Sequence, residues 1–384
     1  MMRLSSSSPS LGQAPSAGQS LGRRYTSLEV ARALAALAVV MVHSESIAAA
    51  MSGRAYAHGL WQFGQAGVDL FFVISGFVIA MVVARAEPAS RFVMHRVARI
   101  LPFYWFFTAA WLATMALQGH PLPLLGDVTV SLAMLPQAPM PVLGVGWSLE
   151  HEILFYAVAA LLLLCGRQDA LLRVMAVLAA VSVALNFAVP AGIGHALPDH
   201  LLTLYNVQFV IGVAMFRWRS TLARLPWRRL LICGALFFPG AAAVLHLVYQ
   251  TTIPAQPHGL PGLLRVLSWG GAAALVLGSL LALEAQRPDL LRSARARALI
   301  GIGRASFTLY LLHSILFALV GSLLANTGAA GWSTLLVQGI ASMAAVGASL
   351  VFYRLAEEPL LGWLRGRLPL RSAPTCRITL PQAS

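Results

Sequence analysis

His43 stands alone inside a long apolar run, and imidazole is the side chain that most readily exchanges a proton near neutral pH. A histidine acting as general base on a hydroxyl needs a partner that orients the ring and stabilises its charged form. Asp69 and Glu152, two carboxylates that also fall in apolar runs, are candidates for that role. Arg32 precedes His43 by 11 residues. On a helix that spacing puts the two within ~20° of one face and ~16 Å apart along the axis. One face would then present two polar groups at different depths. A lone intramembrane histidine is equally well explained as a hydrogen-bonded packing residue.

Other polar residues follow the same pattern. Arg96 and Arg99, at i and i+3, share a helix face and can grip a phosphorylated ligand through charge-assisted hydrogen bonds. Basic residues before a span also serve topology, so this pair has little specificity alone. In the run opening at Trp147, Ser148, Glu152, Phe155 and Tyr156 share a face, whereas Glu150 points the other way. A solvated rim would account for Glu150 and His151. Ser306, Tyr310 and His313 share a face of another run. Ser75 and Gly76 suit close helix approach. Trp147, Tyr156, Tyr310, His313 and Ser75 complete the candidate site as substrate contacts. Glu357 and Glu358, before Pro359, read as a helix stop at an interface. The three cysteines, Cys165, Cys233 and Cys376, lack metal-ligand spacing, and no metal is expected.

The elements that must hold these residues are membrane helices. Of 384 residues 58% are hydrophobic and 10% charged, against roughly 25% charged in soluble domains. Mean hydropathy is +0.76. Stretches of about 20 apolar residues suffice to cross a bilayer. Ten are expected, near 27–50, 66–84, 100–118, 147–165, 171–189, 201–216, 229–248, 266–284, 305–325 and 333–355. The net charge of +14 comes from 27 basic residues, all arginine. With the N-terminus inside, 23 of the 27 fall in inner segments; the exceptions are Arg32, Arg54, Arg265 and Arg354. That bias predicts both termini cytoplasmic, with Arg54 and Arg265 in outer loops. The charge therefore reports orientation and argues against a nucleic-acid partner. Residues 1–24 read as a flexible tail, 25–360 as one transmembrane domain, and 361–384 as a basic cytoplasmic tail. The spans near 201–284 hold almost nothing titratable and read as scaffold. The fold class is an all-α integral membrane bundle.

Two polar layers result: arginines toward the inner side, and His43, Asp69 and Glu152 toward the outer side. A site with a phosphorylated donor held inside and a polar acceptor arriving from outside explains both. A secondary transporter or glycan flippase would also use intramembrane arginine, histidine and acids. Transporters commonly show pseudo-symmetric halves, and the first five spans do not repeat in the last five. A non-catalytic partner of a polysaccharide synthase is a further alternative.

Five segments carry a family resemblance: Arg32 with His43, GVDLFFVISGF at 67–77, RVARILPFYW at 96–105, GVGWSLEHEILFY at 144–156 and SFTLYLLH at 306–313. In that order they resemble membrane-bound acyltransferase family 3, of the exopolysaccharide and O-antigen O-acetyltransferase type. The resemblance implies acetyl-CoA or another acyl-CoA as cytosolic donor and a sugar hydroxyl on a cell-surface or exported glycan as acceptor. It also implies a bacterial plasma-membrane location, with lipids and polysaccharide synthesis proteins as partners. It makes His43 the catalytic residue, as base or acyl relay, and Arg32, Arg96 and Arg99 the donor-binding residues. Glu152 becomes the carboxylate of the Trp-Ser-Leu-x-x-Glu string. Family members often carry a second Glu directly afterwards; here that position is Ile153.

Overall fold

A computed structural model of the chain describes residues 25–52, 59–138, 140–188, 196–249, 257–327 and 333–367. The N-terminal tail, Arg54 and the last part of the C-terminal tail lie outside them. Among the described residues every regular element is helical, and ten helices are long and apolar enough to cross a membrane. We label them α1 (Thr26–Met51), α2 (Trp61–Val83), α3 (Ala89–Leu117), α4 (Gly144–Leu164) and α5 (Gln168–Ala188). Then follow α6 (Asp199–Arg217), α7 (Trp227–Tyr249), α8 (Gly259–Gln286), α9 (Ser306–Ala325) and α10 (Thr334–Leu364). Each falls where a span was expected. The protein is a multi-pass membrane protein.

Burial follows sequence. The stretch from Ala66 to Val83 in α2 is apolar on every side, and it is the most buried of the ten spans. Phe72 of α2 packs on Tyr205 and Phe209 of α6, and Phe77 on Phe216. The two backbones meet through glycine. A Cβ on Gly76 would stand 2.3 Å from the Phe209 carbonyl oxygen, and one on Gly212 would stand 2.1 Å from that of Val73. Small residues at such crossings let membrane helices pack closely. By contrast α7 is the least buried span and leaves Leu231, Ile232, Leu236 and Leu247 exposed, as a lipid-facing helix must. Helix α1 packs against α2, α8, α9 and the short helix Ala294–Arg304.

The N-terminus of α1 has no side-chain cap of its own; Glu284 of α8 supplies one. Its carboxylate accepts from the backbone N–H groups of Thr26 and Ser27 and from Ser27 Oγ. Orphan N–H groups at a helix start favour an anion there. Past His43 the helix breaks at Ser44, whose carbonyl accepts from Gln338 Nε2 of α10 at 3.1 Å.

Several expectations need correction. Arg265 is no outer-loop residue: it lies inside α8, 1% exposed, where Asp69 neutralises it. The middle spans are thus not free of titratable groups. Helix α3 starts at Ala89, well before the expected span, so Arg96 and Arg99 stand on the helix itself. Glu357 does not end α10. A π turn, Tyr353–Glu357, carries it inward to 1% exposure, and helix resumes over Glu358–Arg367. The helix thus runs into the expected 361–384 tail. Glu150 and His151 form no solvated rim; both are 2% exposed. Glu150 Oε2 lies 2.8 Å from His200 Nε2, so the buried carboxylate has a polar partner on α6. Glu45 is likewise buried, 4% exposed, and accepts from Gln338 Nε2.

Candidate active site

Helices α1, α2, α3, α4 and α9 surround a cavity. Arg32 from α1 and Arg96 and Arg99 from α3 line it together, although 64 residues separate the first two. Val68, Phe71, Phe72, Ile74, Leu149 and Phe307 make its walls apolar. Ser75, Glu152 and Tyr156 stand in the same lining, as do Ser148, Ser306 and Tyr310.

The arginines are the unspent groups. Among the described residues Arg32, Arg96 and Arg99 make no hydrogen bond and no ion pair, and Nε of Arg32 and of Arg96 is buried without a partner. Arg96 lies 5.6 Å from the Tyr156 ring centroid and 5.7 Å from that of Phe92. Guanidinium groups inside a membrane are costly unless an anion meets them. Glu152 does not do so by contact, because its Oε1 accepts from Ser75 Oγ at 2.5 Å and from Tyr156 Oη. Those bonds hold the carboxylate against α2, and Arg32 remains within its field. Glu357, read from sequence only as a helix stop, belongs to the same neighbourhood. It accepts from Thr308 Oγ1, and Arg99 and Arg32 lie in its field. Acids beside a proline at a helix end give no hint of this; only the π turn aims Glu357 inward.

Tyr310 closes one part of the lining. Its hydroxyl donates to the Val145 carbonyl at 2.8 Å and so accepts from Ser148 Oγ at 2.7 Å. Its ring centroid lies 6.1 Å from that of His313. His313 in turn places Nε2 3.0 Å from Nδ1 of His43, the rings tilted by 49°. Neither histidine lines the cavity, and Tyr310 connects them to it.

The two expected orienters of His43 are elsewhere. Asp69 is fully buried; it accepts from Gln208 Nε2 and lies 3.5 Å from Arg265. Arg265 also stacks between Tyr205 and Trp269, so this pair ties α2, α6 and α8 together. Trp147 packs within the aromatic cluster of Phe72, His151 and Tyr205 and does not face the cavity. Ser75, Tyr156 and Tyr310 do face it; His313 does not. A helical wheel shows which residues share a face, but not which neighbour that face meets.

The acyltransferase domain model of the acyltransferase 3 family matches residues 25–354. The chain belongs to this family. It is 31% identical over 320 residues to the exopolysaccharide production protein ExoZ of Rhizobium meliloti (strain 1021), covering 79% of this chain and 91% of that protein. It is 26% identical over 378 residues to the acyltransferase MdmB of Streptomyces mycarofaciens, covering 91% and 95%. No solved structure matches significantly. The family makes this membrane protein an acyltransferase, and such an enzyme requires an acyl donor. Among the described residues no cluster of three or more potential ligands could hold a metal ion.

Proposed function

We propose that this acyltransferase moves an acyl group, acetyl in the simplest case, from cytosolic acyl-CoA to a hydroxyl of a cell-surface or exported glycan. The observation that carries this is the cavity in which three arginines on two helices have no hydrogen-bonded partner among the described residues. A CoA ester has the matching chemistry: phosphates for Arg32, Arg96 and Arg99, and a long, weakly polar arm for the apolar walls. Arginine is the usual partner of phosphate because its planar fork pairs bidentately. The glycan acceptor draws support from the exopolysaccharide relative. The arginine bias of the sequence supports an inner-membrane protein with both termini and the arginine end of the cavity cytoplasmic.

His43 acts as the base. The acceptor hydroxyl gives its proton to the imidazole while its oxygen attacks the thioester carbonyl carbon. The tetrahedral intermediate expels CoA thiolate, which takes that proton back from the imidazolium. The ester bond formed replaces the thioester bond broken. Arg32, Arg96 and Arg99 hold the donor, and Glu152 with Ser75 and Tyr156 fixes the lining around its arm. Tyr310 marks where the arm must pass to reach His43.

The donor site is tested by purifying Arg96→Ala with Arg99→Ala and titrating acetyl-CoA in a glycan acetylation assay. Losing two charge-assisted phosphate contacts, at about 1.5–3 kcal/mol each, raises the donor KM at least about a hundredfold. An unchanged donor KM would return both residues to topology.

A further inference from the structure

His43 and His313 touch across α1 and α9, and among the described residues no carboxylate contacts either ring. Their protons can nevertheless be placed. His313 Nδ1 lies 2.9 Å from the Leu309 carbonyl oxygen. A carbonyl oxygen only accepts, so Nδ1 carries the hydrogen, and in the neutral ring Nε2 is bare. That bare nitrogen is 3.0 Å from Nδ1 of His43, which must therefore be the donor. Nδ1 of His43 also lies 2.9 Å from the Val39 carbonyl oxygen, a second acceptor that demands the same hydrogen. One assignment satisfies all three contacts. The other tautomer of His43 would set its lone pair against two acceptors. A charged His313 would donate to His43 and leave the Val39 oxygen facing a lone pair.

We propose that His313 is the positioning residue of this transferase: its Nε2 lone pair holds the Nδ1 proton of His43 and leaves Nε2 of His43 bare for the acceptor hydroxyl. The inference rests on the reading of His43 as base. It assigns His313 a role distinct from substrate contact. When Nε2 of His43 takes the hydroxyl proton, the positive ring keeps Nδ1–H on His313 in a charge-assisted bond. When Nε2 returns that proton to the leaving thiolate, the original pair is restored. A neutral imidazole thus fills the place that a carboxylate takes in hydrolytic triads. An anion there would be costly at this depth. Packing locks the arrangement: His313 is fully buried, its ring edge-on to Phe317 at 5.8 Å and close to Tyr310. His43, by contrast, is only half-buried.

The test is nitrogen NMR of histidine-labelled full-length protein in lipid, with the His43 signals identified by their loss in His43→Gln. Wild type should show His43 protonated at Nδ1 and bare at Nε2, a reading independent of turnover. In His313→Phe the Nε2–H form should become populated. With that change kcat should fall roughly a hundredfold or more, as for loss of a general base's correct tautomer, with donor KM within about twofold. His313→Gln sets an amide oxygen near the lost Nε2 and should recover at least about tenfold of that loss. A wild-type Nε2–H tautomer overturns the proposal, as does an unchanged His43 spectrum in His313→Phe or equal activity of the Phe and Gln variants. If instead His43→Gln transfers normally, the base assignment fails, and the tautomer reading is still decided by the spectra.

Discussion

At the scale of single residues, each titratable group has a sign or a proton that its neighbours fix. Asp69 shows how this separates structure from chemistry. Its depth near His43 in sequence made it a candidate orienter, yet its carboxylate is spent on Gln208 and Arg265. Removing one partner of a buried pair strands the other charge. Asp69→Ala should cost about 3–5 kcal/mol, read as a lower thermal unfolding midpoint in detergent. An unchanged midpoint with acyl transfer lost would return Asp69 to the reaction. The three cavity arginines are the converse, charges left without an ion-pair partner among the described residues. Sequence marked them through Arg32 inside a span, near its inner end, and the Arg96, Arg99 spacing. It could not mark Glu357, whose approach to Arg99 and Arg32 depends on a π turn.

At the scale of elements, the spans were legible because length and hydropathy alone define a membrane helix. Their ends were less so. Arg91, His95, Arg96 and Arg99 lower the hydropathy at the start of α3, yet the backbone is helical from Ala89. Arg265 in α8 was lost to a loop for the same reason, since a charge looks external until its partner is known. Long-range caps are equally hidden: nothing near Thr26 points to Glu284, 258 residues away. Glu284→Ala should leave two N–H groups of α1 unmet and destabilise the protein by about 1–3 kcal/mol. The check is the unfolding midpoint, with Glu284→Gln, which keeps an acceptor, falling between the two. Equal midpoints for all three proteins would show that solvent or lipid headgroups supply the cap.

At the scale of the whole molecule, ten spanning helices among the described residues place three arginines, without ion-pair partners there, in one cavity and a histidine pair beside it, joined through Tyr310. That polar residues sit inside the spans was readable along the sequence, but Glu152, expected with His43 toward the outer side, lines the cavity with the three arginines. Which groups meet was not readable, because contacts such as His43 with His313 join residues 270 apart. The most direct test is mass spectrometry of surface glycans from cells expressing wild type or His43→Ala at equal membrane levels. The account predicts an acetyl mass increment with wild type and its loss with His43→Ala. Glycans acetylated equally in both would contradict it.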